Sequence, residues 1–352
     1  MISQLKTEAL TLLKKLISTQ SFSKEEDKTC LLIEQYFDSF DIKTERDHNN
    51  IWAKNKYFDS SKPTILLNSH HDTVKPNKGY SRDPFHAEII DGKLFGLGSN
   101  DAGGCLVSLM SLFTYFYNQK NLKYNLILLA SAEEENSGNG GIRSVMPLLP
   151  EIDFAIVGEP TLMQLAIAEK GLLVLDCYAH GKAGHAAHKL GDNSIYKAME
   201  AIKWFEEYKF SKFSDNLGAI KMTVTQINAG NQHNVIPATC HFVVDVRVTD
   251  QYSNKEVLDI VKQQVDIEVK ERSLNLNSSS ISKDHAIVKA GINLGREVYG
   301  SPTLSDQTNL NCPSLKLGPG DSLRSHTADE FIFVNEIEEG IEIYIDLLKE
   351  IL

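Results

Sequence analysis

Short apolar runs alternate with helical stretches over the first half of the chain, and this alternation constrains the fold more than any other feature of the sequence. Three runs have the length and composition of buried strands: residues 64–68, 125–130 and 154–157. Between the first two, residues 102–117 are long and apolar enough for a buried helix. Strands that alternate with helices form a mostly parallel sheet covered by helices on both faces. We therefore predict an α/β fold of this kind, which begins with a helix over residues 2–19.

A different pattern begins near residue 172 and indicates a small α+β domain. The predicted strands are 172–179, 221–228 and 240–248, and the predicted helices are 194–208 and 254–270. The polar residues 275–280 are the best candidate for a linker back to the first domain. Because 352 residues are enough for two domains, we predict that the second is inserted into the first. The expected bounds are residues 1–171 and 279–352 for a catalytic domain and 172–278 for the insertion.

Composition excludes several classes of protein. The formal net charge of −11 argues against a nucleic-acid partner. The five cysteines are scattered and contain no CxxC pair, so we expect neither a disulfide framework nor a zinc finger, and a reducing compartment is the default. The N-terminal residues do not resemble a signal peptide, and no apolar run is long enough to span a membrane. We therefore expect a cytoplasmic protein with no membrane partner.

Five short polar segments carry the chemistry, and four of them directly follow strand-like runs. They are SHHD at 69–72, GSNDAGG at 98–104, SAEEE at 131–135, VGEPT at 157–161 and RSHTADE at 324–330. Ligands bind at the carboxyl ends of the strands in open α/β sheets. Histidine and carboxylate are also the side chains that hold catalytic zinc. The pattern therefore indicates a metallohydrolase.

Each segment alone also has an ordinary interpretation. His70 and Asp72 can form a metal ligand and its support, or a polar loop. Asp101 can bridge two cations or cap the following helix, whereas a dinucleotide site is excluded because the nearby glycines do not spell GxGxxG. The glutamates 133–135 can supply a metal ligand and a general base or form a solvated loop. Glu159 can bind metal or lie in a surface turn.

The remaining histidines are more ambiguous. His326 follows a Gly-Pro-Gly turn, and His185 and His188 lie in the predicted insertion. The chain has no HExxH motif, so a zinc-protease helix is excluded. His188 has no role that the sequence supports. Together the segments still supply enough ligands for two metal ions.

In combination, several segments of the chain resemble the co-catalytic zinc amidohydrolases and metallopeptidases. They are the five polar segments, GKAGHAAH at 181–188, and the run from NVIPATC at 234–240 to DVR at 245–247. That family includes acetylornithine deacetylase, succinyl-diaminopimelate desuccinylase, aminoacylase and carboxypeptidase G. The resemblance extends over about residues 65–333. It implies a catalytic α/β domain with an inserted lid domain that also forms a homodimer.

The resemblance also implies a role for individual residues. His70 and Glu159 would hold one Zn²⁺, Glu135 and His326 the other, and Asp101 would bridge the two ions, with Co²⁺ as a possible substitute. The catalytic residues would be Glu134 as general base, Asp72 as support for His70, and His185 acting in the partner subunit's site. Asn234 and Arg247 would bind the substrate carboxylate. Two departures are Asn68–Ser69, where many members have a glycine, and His233 before Asn234; neither removes a ligand.

Within the family, the ending GPGDSLRSHTADEF is most similar to the acetylornithine deacetylase group. This implies hydrolysis of an N-acyl amino acid, with N-acetylornithine or a related N-acyl-ornithine or citrulline compound as substrate, in arginine biosynthesis. Alternatives are a succinyl-diaminopimelate desuccinylase and a dipeptidase or aminopeptidase of the same fold. A non-catalytic binding protein is disfavoured, since it would not need the general base Glu134.

Overall fold

The computed structural model describes every residue, Met1–Leu352, and the chain divides into two units. The first unit contains Met1–Ile167, Ile281–Tyr299 and Ser305–Leu352; the second contains Ala168–Ser280 and Gly300–Leu304. The helices are α1 Ile2–Ile17, α2 Asp27–Asp38, α3 Gly104–Phe116, α4 Ile142–Val145, α5 Ser194–Glu207, α6 Asn254–Gln264, α7 Ala286–Asn293 and α8 Val334–Lys349. The strands are β1 Glu45–Asp47, β2 Asn50–Lys54, β3 Thr64–His70, β4 Glu88–Ile90, β5 Lys93–Phe95, β6 Asn125–Ser131, β7 Phe154–Val157, β8 Leu165–Glu169, β9 Gly171–His180, β10 Gly184–His185, β11 Lys221–Ala229, β12 Val235–Ile236, β13 Thr239–Val248, β14 Glu268–Glu271, β15 Ser279–Ser280, β16 Val298–Ser301, β17 Ser314–Lys316 and β18 Phe331–Phe333.

The central sheet of the first unit has the strand order β1-β2-β6-β3-β7-β17-β8. Its four middle strands, β6, β3, β7 and β17, are parallel, and the outer strands pair antiparallel. Along β3, Ile65 and Leu67 face a core formed with α1, α2, α3 and α8, whereas Leu66 faces a second core that includes Ile142 of α4. Both faces are thus covered, and the predicted mostly parallel α/β fold is confirmed.

The parallel strands bring three of the predicted polar segments to the same edge. In the register of the sheet, His70 at the end of β3 lies beside Ser131 at the end of β6, and Asn68 lies beside Val157 at the end of β7. A single helical turn, Ser99–Gly103, leads into α3. This turn is preceded by Gly98, whose φ of 74° favours glycine because it has no Cβ.

The second unit contains an antiparallel sheet of order β11-β13-β9-β14. Phe242, Val244, Val246 and Val248 of β13 are fully buried in a core shared with α5 and α6, so the predicted alternation is confirmed. The prediction of a helix through residue 270 is wrong, because α6 ends at Gln264 and β14 then pairs with β9. In β14, Val269 alternates with charged neighbours, which suits an edge strand with one buried face.

The boundaries of the units differ from those expected. The second unit begins at Ala168 rather than 172 and also includes Gly300–Leu304, which the sequence had assigned to the catalytic domain. This segment is tied to the second unit by a hydrogen bond from the Lys170 N–H to the Ser301 carbonyl. Gly300 also lies so close to the Asn216 backbone that a Cβ there would be 2.1 Å from its carbonyl oxygen. Such long-range packing has no local signal in the sequence.

Candidate metal centre

Three predicted ligands meet at the carboxyl edge of the central sheet. His70 Nε2 lies 3.3 Å from Asp101 Oδ1 and 3.9 Å from Glu159 Oε1. One ligand atom from each of the three residues lies within 4.8 Å of the others. These residues come from the end of β3, the turn before α3 and the loop after β7. The sheet therefore assembles a trio of donors from three separate segments.

A second trio shares Asp101 with the first. Asp101 Oδ2 lies 3.6 Å from His326 Nε2, which is 3.0 Å from Glu135 Oε2. The ligand atoms of Asp101, Glu135 and His326 also lie within 4.8 Å of one another. His326 has a φ of 59°, in the left-handed region where histidine is among the more tolerated residues. Asp101 thus has one carboxylate oxygen toward each trio, the arrangement that a bridging ligand needs.

The electrostatics of the cluster favour bound cations. Burial, followed by the charge of Asp101, raises the pKa of Glu159 to about 8. Burial also raises the pKa of Glu135, although its hydrogen bond with His326 acts in the opposite direction. The same hydrogen bond raises the pKa of His326 to about 9. Three carboxylates at this spacing repel one another unless positive charge is present, and imidazole nitrogen and carboxylate oxygen donors suit Zn²⁺.

The His70 ring is oriented by acceptor atoms of Asp72, as expected of a metal ligand. Its Nδ1 lies 3.0 Å from the backbone carbonyl oxygen of Asp72 and 3.4 Å from Asp72 Oδ1. Burial alone would lower the pKa of His70, but its hydrogen bonds with Asp101 and Asp72 raise it well above the ordinary value. An imidazole held at Nδ1 presents Nε2 to a metal.

The carboxylate of Asp72 has a further role that the sequence did not indicate. Its Oδ1 accepts the peptide N–H of Glu134 at 3.1 Å, and its Oδ2 accepts the peptide N–H of Glu135 at 3.2 Å. Oδ2 also accepts the hydroxyl of Ser23 at 2.7 Å. Asp72 therefore supports the loop after β6, and its backbone carbonyl is the closer partner of the His70 ring.

Glu134, the predicted general base, has a buried carboxyl group. Desolvation raises its pKa well above the ordinary value, although the charge of His70 acts in the opposite direction. A carboxylate with a raised pKa is a better proton acceptor near neutral pH. Its neighbour Glu135 points to the second trio, so the two adjacent glutamates have different surroundings.

Three buried acids that the sequence analysis did not single out hold the loops and strand ends of the centre. Glu330 accepts three peptide N–H groups of residues 98–101. Glu26 accepts the peptide N–H of Glu133 at 3.2 Å. Asp306 accepts the side chains of Asn68 at 2.9 Å and Ser131 at 2.6 Å. Only Glu330 had a signal, since it lies in the polar segment of His326.

The other predicted residues belong to the second unit. The β10–β12 pair brings His185 opposite Val235, and the Ala186 N–H donates to the carbonyl of Asn234. His185 and Asn234 are exposed and close to each other, and the His188 ring lies 5.3 Å from that of His185. Arg247 lies apart from them on β13, where its Nε and one terminal nitrogen donate to Asp245 at 2.8 and 3.1 Å. His233 precedes Asn234 and is exposed.

None of the helices combines the length and the hydrophobicity that crossing a bilayer requires. All five cysteines are free thiols.

A family model described as peptidase family M20/M25/M40 matches residues 66–350. The chain is 26% identical to an acetylornithine deacetylase of Buchnera aphidicola subsp. Schizaphis graminum over 85% of each chain. It is 26% identical to a LysW-lysine/LysW-ornithine hydrolase of Sulfurisphaera tokodaii, which covers 97% of this chain and 94% of that protein. It is 31% identical to a succinyl-diaminopimelate desuccinylase of Buchnera aphidicola subsp. Acyrthosiphon pisum over 70% of this chain and 69% of that one.

Solved structures of similar fold cover almost the whole chain. The M20 family metallo-carboxypeptidase Sso-CP2 from Sulfolobus solfataricus has a TM-score of 0.76 at 17% identity and covers 98% of this chain and 99% of its own. The Bacillus subtilis YXEP protein, described as a dinuclear metal binding peptidase, has a TM-score of 0.73 at 14% identity over 98% of each chain. At these identities the likeness shows the fold.

Proposed function

Because this chain belongs to peptidase family M20/M25/M40 and is a metal-dependent hydrolase, we propose that it hydrolyses the amide bond of an N-acyl amino acid. The proposed substrate is N-acetylornithine or a related N-acyl-ornithine or citrulline compound, in arginine biosynthesis. The name of one relative, an acetylornithine deacetylase, supports this substrate. The name of another, a succinyl-diaminopimelate desuccinylase, supports removal of an acyl group from an amino acid but corresponds to the alternative substrate. We further propose that the enzyme is a cytoplasmic homodimer formed through its second unit.

The single observation that carries the proposal is that Asp101 belongs to both trios of donors. Glu134 directly precedes Glu135, a member of one of these trios. His70, Asp101 and Glu159 would hold one ion, and Asp101, Glu135 and His326 the other. Zn²⁺ is the proposed metal, since the donors are imidazole and carboxylate. When bound, two divalent ions acidify water and polarise the scissile carbonyl.

Glu134 performs the proton transfers in the proposed reaction. It accepts a proton from water while the water oxygen attacks the amide carbonyl carbon. It then donates that proton to the departing nitrogen as the carbon–nitrogen bond breaks, which yields a carboxylic acid and an amine. Transfer of the acid proton to the amine leaves a carboxylate and an ammonium group. General acid–base catalysis of this kind contributes about 10²–10⁴-fold to the rate.

Three polar residues of the second unit are proposed for substrate recognition. His185 would stabilise the oxyanion in the partner subunit's site, and Asn234 and Arg247 would bind the α-carboxylate. Arg247 already donates two of its five N–H groups to Asp245. The pair fixes the plane of the guanidinium while leaving three donors, and such a fixed plane suits a carboxylate.

A panel of substrates tests the proposal. Protein loaded with Zn²⁺ or Co²⁺ would be assayed for amine release from N-acetylornithine, N-acetylcitrulline, N-succinyl-diaminopimelate and dipeptides. We expect the ornithine or citrulline compounds to have the highest kcat/KM. A preference for N-succinyl-diaminopimelate or for dipeptides by loaded protein would replace this substrate with the corresponding alternative.

Matched variants of adjacent glutamates test the assigned roles. Glu134→Gln should reduce kcat by at least about 10²-fold with metal content near wild type, because it removes the base and no ligand. Glu135→Gln should instead reduce metal content, because it weakens one trio. Equal metal loss in both variants, or an active Glu134→Gln, would contradict these roles.

A further inference from the structure

Glu330 is an acid with almost no exposure, 1%. Its Oε2 accepts the peptide N–H of Gly98 at 3.1 Å, and its Oε1 accepts those of Asn100 at 2.8 Å and Asp101 at 3.0 Å. Burial of a carboxyl group is costly unless it is hydrogen-bonded, and here all the acceptors of the side chain are directed at one loop. That loop carries the shared carboxylate of the metal centre.

The segment that contains Glu330 also carries His326, four residues earlier. This segment is anchored to the first unit at both ends. Arg324 forms two hydrogen bonds with Glu336 at 2.7 and 2.8 Å, and Asp329 accepts the peptide N–H of Ser81 at 2.9 Å. Between these anchors, His326 adopts its left-handed conformation. One anchored segment thus presents a ligand directly and holds the backbone of a second ligand, Asp101.

We propose that Glu330 is a positioning residue that sets the bridging geometry of the centre by fixing the backbone of residues 98–101. It would act through Asp101 and not on the substrate. Because one side chain accepts three hydrogen bonds from the loop, the loop is restrained before metal binds and the bridging carboxylate is preorganised. Residues behind the ligands of metal sites typically change metal affinity by about 10–100-fold when mutated.

The two ions should differ in their dependence on Glu330. In the trio with Glu135, two of the three ligands, Asp101 and His326, are linked to the Glu330 segment. In the trio with His70, only Asp101 is linked to it, since His70 is the last residue of β3 and Glu159 follows β7. Loss of Glu330 should therefore weaken metal binding by the trio with Glu135 more than metal binding by the trio with His70.

Glu330→Gln is the informative change. The glutamine oxygen can still accept from Asn100 and Asp101, but its amide group meets the N–H of Gly98 donor to donor. Metal-free wild type and variant would be titrated with Co²⁺, with binding followed by the visible absorption of the ion. We expect one of the two Co²⁺ dissociation constants to rise at least about tenfold and the other to rise less.

Two further variants keep the test decisive. Glu330→Asp retains the charge but shortens the side chain, and should lie between wild type and Glu330→Gln. Phe37→Leu reduces packing in the buried core of α2 and serves as a control of general destabilisation. The proposal is overturned if Glu330→Gln binds both ions as wild type does, or if Phe37→Leu weakens the same ion equally at matched melting temperature.

The inference rests on the metal centre proposed above, and the titration separates the two failures. Wild-type protein that does not bind two Co²⁺ would refute the metal centre itself. Wild-type protein that binds two ions, with Glu330→Gln unchanged, would refute only the positioning role.

Discussion

Asp72→Asn should weaken the support of the loop that carries Glu134 and Glu135. The Asp72 side chain is fully buried and accepts three hydrogen bonds, from the peptide N–H groups of Glu134 and Glu135 and from the Ser23 hydroxyl. An amide supplies only one oxygen in place of two. In either orientation, its NH₂ group faces the peptide N–H of Glu134 or of Glu135. One of the two residues assigned as base and ligand therefore loses its support.

The size of the effect follows from these contacts. A hydrogen bond to a charged acceptor contributes about 1.5–3 kcal/mol, and an unpaired buried donor costs about 1–3 kcal/mol. Because the two contributions overlap, we expect a loss of about 2–4 kcal/mol in the free energy of unfolding. For a unit of this size that corresponds to a melting temperature lower by roughly 4–16 °C. A displacement of the base by about 1 Å can reduce kcat by about 10²-fold.

Ser23→Ala is the matched control, because it removes only the hydroxyl and leaves both peptide contacts. Melting temperature, kcat and the hydrogen exchange of peptide 130–137 would be measured for both variants at equal metal content. We expect faster exchange of the Glu134 and Glu135 amides in Asp72→Asn alone. Wild-type kcat in Asp72→Asn, or equal losses in Ser23→Ala, would refute the reasoning.

Three other outcomes are expected. Extensive chelation should remove two metal ions per chain, one for each trio, and abolish activity; full activity without metal would contradict the centre. Mixing His185→Ala chains with Glu134→Ala chains should restore activity toward half of wild type, since one site of the mixed dimer is intact; no recovery despite proven subunit exchange would exclude action across the dimer. The hydrogen bonds from Arg272 lower the pKa of Asp176 to about 2, so its stabilisation is present above the ordinary value of about 3.9 and is lost as pH falls toward 2. Asp176→Asn should therefore lower the urea midpoint at pH 7 relative to wild type, and the difference should shrink below about pH 4; a difference independent of pH would contradict this account.

The sequence predicted the framework well because the framework depends on local patterns. The apolar runs at β3, β6 and β7 and the alternation in β13 are determined by which side chains must be buried. Helix α2 was not predicted, although its buried residues Thr29, Cys30, Ile33, Tyr36 and Phe37 follow helical spacing, so the signal was present. The end of α6 could not be found locally, because pairing with β9 makes the following residues a strand.

The predicted ligands were found by a different kind of reasoning. His70, Glu135 and Glu159 follow strands that are parallel, so their meeting at one edge follows from the fold. Their function as ligands, and that of Asp101 and His326, stays a prediction. The preference of the His70 ring for the Asp72 carbonyl could not be predicted, because it depends on backbone geometry beyond the strand.

The acidic segments of this chain contain two kinds of carboxylate, and composition does not distinguish them. Asp101 and Glu135 point into the trios, whereas Asp72 and Glu330 turn away and accept peptide N–H groups of the neighbouring loops. Each supporting acid accepts the peptide N–H of a predicted ligand from another segment: Asp72 that of Glu135, and Glu330 that of Asp101. The loops are therefore restrained by one another, and not only by the strands that precede them. It follows that a substitution at a supporting acid should alter the metal centre as a ligand substitution does, although no metal contact is lost.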